Sequence, residues 1–377
     1  MNRPTKLLIV ALALIAAAAF APTAALKVAA MPTFAQAYGY DCKVCHTQVP
    51  SLNTYGRYVQ RTMYAGLDPE GYKKEIPIWG GESVNYSTGQ SPYWQVGNLA
   101  FHAVGVYNDV TFHVQQWVTQ ANNLGDLDTA WVSWNPHNAN LHVVYGKMPG
   151  PGPSFFSQWS DVAPFAPPQM AIGEHTQALS SNRWGGALNY GDQRWYAFAG
   201  YYGSGAGLGG ATQWTATPEN GIDKGFQWTA AYQPSNKPVS AGFVGNTGTV
   251  PLAGGGIDHY WAVASYVQAD PTPRLPGLIA YYQIGYDGNP VETGVGARST
   301  GYSAEVYAPF LAHWESNIGL RAEMTNDGMG NVIHTGEIDL GFRIMKYIHA
   351  DFEAGLANGA TPVWSGYVWW TQPFGKW

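Results

Sequence analysis

Charge is scarce in this chain. Only 12% of its 377 residues are Asp, Glu, Lys or Arg, about half the share of an ordinary soluble domain, so its surface is not an ordinary water-facing one. Long apolar runs are scarce as well. After residue 30 none approaches the roughly 18 residues that a spanning helix needs, which excludes a multispan helical protein. Cysteine is limited to two residues. The 19 Lys and Arg are outnumbered by 25 Asp and Glu, and the formal net charge of −6 argues against nucleic acid as a partner. What the chain does have is 14% aromatic residues, among them 16 Trp and 24 Tyr, and 46 glycines. That excludes disorder and leaves a Gly- and aromatic-rich β protein.

Asn2-Arg3-Pro4-Thr5-Lys6 is a short basic start, and Leu7 to Phe20 is an unbroken apolar run followed by small residues. Residues 1–30 therefore read as a secretory signal peptide, too short for a spanning helix, with cleavage expected after Ala25 or Ala30. Export to an oxidising compartment means that two thiols should either pair or be consumed chemically.

Both cysteines lie in Cys42-Lys43-Val44-Cys45-His46, the spacing of c-type haem attachment. Two thiols three positions apart on one helical turn can add to the two vinyl groups of one haem. His46 then places its imidazole under the iron as the proximal ligand. A thioredoxin-like disulfide would sit after a strand in a βαβ unit, and no such pattern surrounds the motif. A zinc site would need more ligands, and the next histidine is His102, 56 residues on. The expectation is one covalently attached haem c.

From about Trp94 to Trp377 the sequence falls into short runs of period two, broken by Gly, Asn, Asp and Pro. Ile318, Leu320, Ala322 and Met324 share one face, while Gly319, Arg321 and Glu323 share the other. Ile338, Leu340, Phe342 and Ile344 alternate with Glu337, Asp339, Gly341 and Arg343, and Phe352, Ala354 and Leu356 alternate with Asp351, Glu353 and Gly355. Charge on one face only, strand after strand, predicts lipid outside and a polar lumen inside. Trp and Tyr recur near run ends, as in interfacial girdles. A soluble β-solenoid or sandwich would instead carry polar residues on its outer face.

The fold class is thus all-β: a transmembrane barrel of about 14–16 antiparallel strands over 92–377, with a small α-helical haem plug and linker over 31–91. Sixty residues bury too little surface to enclose a haem alone, so the barrel must complete the pocket. The Pro-rich segment 149–175 shows no alternation and is expected to be a plain extracellular loop rather than one folded into the barrel.

Several side chains are candidates for the haem environment. Met63 lies on a helix expected over Leu52–Tyr64, where a thioether opposite His46 would raise the potential; a core Met is the other reading. His102, His113 and His142 compete, because alternation points each into the lumen. Arg57 and Arg61, four apart on that helix, could pair with haem propionates or with lumen acids such as Glu337 and Asp339; a solvated helix face is the other reading. Glu305, Glu323, Glu337, Asp339, Asp351 and Glu353 could attract a cation. No acid–base or nucleophilic constellation is found, so no catalytic residue is assigned.

Around the haem motif, Phe34, Ala35, Gly39, Cys42, Cys45, His46, Pro50, Leu52, Asn53, Tyr55 and Gly56 match the pattern Phe-Ala-x-x-x-Gly-x-x-Cys-x-x-Cys-His followed by Pro-x-Leu-Asn-x-aromatic-Gly. Over about residues 32–66 the chain resembles the fused cytochrome–porin family of bacterial outer membranes, which includes the iron oxidases of iron-oxidising bacteria. It departs from the common pattern at Gln36 and at Thr62-Met63-Tyr64. The resemblance implies an outer-membrane electron-transfer protein, surrounded by lipid, that oxidises extracellular Fe(II) or another donor and passes electrons to a periplasmic electron-carrier protein. Two other functions stay open at this point: a solute porin whose haem is structural or sensory, and a haem peroxidase-like enzyme with an open iron position.

Overall fold

The computed structural model describes residues 38, 40, 44–48, 51–67, 78–89, 91–96, 99–120, 123–124, 127–136, 139–149, 169–173, 175–178, 182–203, 224–234, 237–252, 254–272, 275–289, 294–310, 313–345 and 348–374. The expected signal peptide and Cys42 lie outside them. Near the start, β1 (His46–Gln48) and β2 (Ser51–Leu52) pair antiparallel and lead into α1 (Thr54–Arg61).

The wall begins with β3 (Ile78–Ser87), β4 (Trp94–Val96), β5 (Leu99–Tyr107), β6 (Val110–Gln120), β7 (Asn123–Leu124), β8 (Leu127–Trp134) and β9 (Leu141–Pro149). A hairpin, β10 (Gln169–Ile172) with β11 (His175–Ala178), forms a sheet of its own. The wall resumes with β12 (Asn182–Gly191), β13 (Trp195–Gly203), β14 (Lys224–Tyr232), β15 (Val239–Pro251) and β16 (Ile257–Ala269). It ends with β17 (Gly277–Asp287), β18 (Ala297–Phe310), β19 (His313–Asn326), β20 (Val332–Met345), β21 (Ile348–Ala357) and β22 (Val363–Phe374).

Neighbours along the chain pair antiparallel. Past the hairpin β9 pairs with β12, and β22 returns to β3, so the pairing runs round a ring that leaves no open edge. Both β4 and β5 pair with β3, and both β7 and β8 with β6; each couple acts as one strand, giving sixteen positions round the ring among the described residues. The wall starts earlier than the expected boundary at residue 92, because β3 stands between β22 and β5. Its Gly80, Gly81, Ser83 and Ser87 blur the alternation and make the segment read as linker. Ladder bonds to two neighbours, rather than its side chains, make it a strand.

Alternation sorts the rest. Along β17, Ile279, Tyr281, Gln283 and Asp287 are buried inward, while Leu278, Tyr282 and Ile284 are exposed outward. Leu320, Ile338 and Leu356 lie outward; Arg321, Glu337, Asp339 and Glu353 lie inward. Exposed aromatics gather at strand ends, as where Trp195 packs on Tyr232 with ring centroids 4.5 Å apart. An apolar outer band between aromatic girdles is the face of a wall in lipid. Short turns at 108–109 and 192–194 share one end with Ile78 and Phe374, and β9 and β13, which precede the longest gaps between wall strands, run toward the other. In such barrels the short turns face the periplasm.

The described end of the segment over 149–175, from Gln169 on, departs from the expectation of a plain outer loop. Strand β10 runs along the inner side of β16–β19. At the hairpin turn, Gly173 takes φ +58 and sits where a Cβ would meet the inward carboxylate of Asp287 at 2.2 Å. Glycine permits that left-handed turn, and pairing of β10 with β11 satisfies backbone groups that the lumen would otherwise strand.

Leu320 is 54% exposed midway along β19. Leu320→Arg is expected to destabilise the barrel by roughly 2–4 kcal/mol, measured as a fall in the urea midpoint in lipid vesicles; an unchanged midpoint would take Leu320 out of the bilayer.

Candidate functional site

The site is built outward from the Cys45–His46 turn. Val44 and Cys45 form a tight turn and His46 opens β1, so this half of the motif leads into a strand rather than lying on the expected helical turn. Asn53 explains the arrangement. Its backbone N–H donates to the Cys45 carbonyl at 2.9 Å and its Nδ2 donates to the Val44 carbonyl at 3.1 Å. Its Oδ1 accepts from the Gly56 N–H at 2.9 Å, capping α1. A Cβ on Gly56 would lie 2.0 Å from the Cys45 carbonyl oxygen, so glycine is what lets the turn rest on the helix. Cys45 carries a free thiol that burial pushes up to about 11. The Tyr64 phenol is pushed up to about 12, first by burial and then by the adjacent Cys45.

Helix α1 stops at Arg61, short of the Tyr64 expected, because Met63 and Tyr64 adopt φ of 48° and 65°. Thr62 supports the turn: its hydroxyl donates to the Tyr58 carbonyl at 2.9 Å and accepts from the Gly66 N–H at 2.9 Å. Met63 is therefore off the helix. Its carbonyl accepts from Thr111 Oγ1 at 2.8 Å, and its side chain is buried with Trp131, Val144 and Met148 of the inner wall. Tyr64 stacks flat on Trp131 at 5.5 Å. Trp131 meets His113 edge-on at 6.0 Å, and His113 lies against His102 at 6.0 Å. The histidines expected to face the lumen do so. His142 is 2% exposed on β9, opposite Asn189 of β12, and neither of its ring nitrogens has a hydrogen-bond partner.

The two arginines do not reach Glu337 or Asp339. Arg57 grips Asp270 with both ends of its fork, at 2.5 and 2.7 Å, while its Nε donates to Gln233 at 3.1 Å and Nη1 to the Leu52 carbonyl at 2.6 Å. Asp270 and Gln233 stand just past the ends of β16 and β14, so α1 is held at the short-turn mouth. Distance decides the pairing: Glu337 and Asp339 lie on β20, away from that mouth. Arg61 has looser company. It donates to Gln233 at 3.3 Å, lies 5.7 Å over the Tyr196 ring, and its carbonyl accepts from Asn189 Nδ2. Burial holds its guanidinium below the ordinary arginine value, with Tyr266 opposing and Arg57 adding to the effect. Gln233 and Asp270 carried no sequence signal, being turn residues far along the chain. Strand parity would have found Asn189 and Trp131.

Across the lumen, β1 lies along β19. Arg321 pairs there with Glu337 at 2.5 Å and reaches Glu323 at 3.7 Å, and the Tyr281 hydroxyl donates to Glu323 at 3.3 Å.

No family model matches the chain, and no curated protein matches it in sequence. Its backbone is similar to those of bacterial porins. The anion-selective porin of Comamonas acidovorans aligns with a TM-score of 0.56 and 11% identity, over 80% of this chain and 99% of that one. OmpT of Vibrio cholerae, in its trimer form, gives 0.54 and 8% over 79% and 99%. OmpF of Salmonella typhi gives 0.53 and 10% over 79% and 97%. The fold is that of the general porins, and its apolar outer band suits the bacterial outer membrane.

Asp270→Ala leaves a buried guanidinium unpaired and is expected to cost on the order of 3–5 kcal/mol, with Arg57→Leu/Asp270→Leu costing less than the two single changes together. The readout is hydrogen-exchange protection of α1; protection equal to wild type in Asp270→Ala would mean the pair does not hold the helix.

Proposed function

We propose that the chain is an outer-membrane electron-transfer cytochrome that would hold one haem c at Cys42 and Cys45, take electrons from extracellular Fe(II) and pass them to a periplasmic electron-carrier protein. The observation that carries this reading is the Cys45–His46 turn fastened to a helix that Arg57 holds inside a porin-fold wall. The residues around the turn fit the group. Cys45 offers a free thiol, His142 offers two orphaned ring nitrogens in a buried setting, and Arg61 is a buried cation short of an anion.

A haem c supplies a reversible one-electron change at its iron. The chain's own residues supply the rest. Cys42 and Cys45 would tether the group, and His46 would ligate its iron. Met63, His102, His113 and His142 would be the candidates for a second ligand. Of these, His142 has no other partner to satisfy it, whereas Met63 already packs in an apolar cluster. Arg61 is the propionate partner; Arg57, committed to Asp270, positions the helix instead. Tyr64 on Trp131 keeps water from the Cys45 side. The short-turn mouth faces the periplasm, which leaves the carrier a short approach.

A solute porin with a structural or sensory haem is the second reading, favoured by the porin-like backbone. The test is a redox-difference spectrum of the full chain in detergent with added Fe(II). A sharp ferrous c-type band within seconds is expected. Reduction by dithionite but not by Fe(II) would overturn iron as donor, and the absence of any haem band would leave the porin reading. Rapid cyanide binding to the ferric protein would instead point to an open iron position and peroxidase-like chemistry.

A further inference from the structure

The inner faces of β18 to β21 hold carboxylates that the site around Cys45 does not use. Glu305, Glu337, Asp339 and Glu353 are each at most 7% exposed, with Glu323 and Asp351 beside them on the same faces. Among the described side chains of these inner faces, the one cation is Arg321, already taken by Glu337 and Glu323.

Asp339 and Glu353 are left over. They stand directly opposite each other on β20 and β21, and Asp351 is the next inward residue along β21. Like charges placed directly opposite in a sheet repel. Glu353 is 2% exposed with neither carboxylate oxygen hydrogen-bonded, and Asp339, 5% exposed, has its Oδ1 unpartnered. Buried carboxylates without partners are costly unless a proton or a cation joins them. Their cross-strand neighbours in the same inward row are small: Gly319 lies across from Asp339, and Ser365 across from Glu353.

We propose that Asp339 and Glu353 form a divalent-cation site midway down the lumen. Among the described residues no three His, Cys, Asp or Glu side chains converge on a metal position. The site is therefore a two-carboxylate one whose ion keeps part of its water shell, the manner in which hard divalent ions such as Mg²⁺ are held. It lies between the β10–β11 hairpin toward the long-loop end and α1 at the short-turn mouth. A cation entering from outside would meet it before reaching the Cys45 turn. Binding at this pair does not depend on the electron-transfer reading.

Mn²⁺ is the probe. The full chain in detergent is titrated with Mn²⁺ and the free-ion electron paramagnetic resonance signal is followed, with the haem band recorded on the same samples. One saturable Mn²⁺ per chain is expected, with affinity at least tenfold weaker in Asp339→Asn and in Glu353→Gln and unchanged in Asp109→Asn, whose carboxylate lies in an exposed turn. A heat-shifted gel mobility shows that each variant is folded. Absence of saturable uptake by wild type, undiminished uptake in both variants, or complete displacement by 0.1 M K⁺ would overturn the site. So would an infrared band of protonated carboxyl, lost in Glu353→Gln, that persists at saturating Mn²⁺, since a shared proton would then occupy the pair. Haem content separates this result from the proposed function: a haem band without Mn²⁺ uptake sinks only the cation site.

Discussion

One buried ion pair sets the position of the helix and turn that lie against the inner wall of this barrel. Arg57 and Asp270 meet through two parallel hydrogen bonds in a place where neither is in contact with bulk water. Such a pair is not a large net source of stability, because both charges lose their hydration, and an apolar pair of similar volume can do as well. What it fixes is register. A planar fork accepts a carboxylate in one orientation, and the remaining Nε and Nη1 hydrogens are spent on Gln233 and the Leu52 carbonyl. From there position passes along the chain: Arg57 fixes α1, the Asn53 cap fixes the start of α1 to the Cys45 carbonyl, and Gly56 lets the two touch.

The inner wall is divided in a way that follows from this attachment. On the side of β6, β8, β12, β13 and β16 it presents Thr111, Trp131, Asn189, Tyr196 and Tyr266 to the helix and the turn after it. These are aromatic, hydroxyl or amide groups that pack on a protein surface. On β18 to β21 it presents carboxylates, which suit water and cations rather than a packed helix. The asymmetry explains why the helix arginines leave Glu337 and Asp339 alone.

The sequence announced the wall through its period. Ile318 to Met324, Ile338 to Ile344 and Phe352 to Leu356 each put apolar groups on one face, and the structure turns those faces outward. The same logic missed β3, where Gly80 and Gly81 have no side chain to reveal a face. It missed the hairpin over 169–178, whose place against β16–β19 depends on one left-handed glycine and on contacts far along the chain. In the site, the inward histidines were legible from parity, whereas the tight turn at Cys45 and the strand that His46 opens were not, since the spacing pointed to a helical turn. The partners of Arg57 were not, since a turn aspartate 213 residues away is brought to it only by ring closure. The end of α1 was also hidden, because left-handed φ at Met63 and Tyr64 is uncommon for residues of their size.

If the segment carrying Cys45 and His46 is held inside the lumen, the barrel cannot conduct like an open porin of the same ring size. Single-channel recording of the full chain in planar bilayers tests this most directly. The account predicts a nearly silent channel, with conductance far below that of an unobstructed general porin under the same salt and voltage. Steady porin-sized openings from the intact protein would contradict it, because they would mean that the helix held by Arg57 and Asp270 does not occupy the mouth.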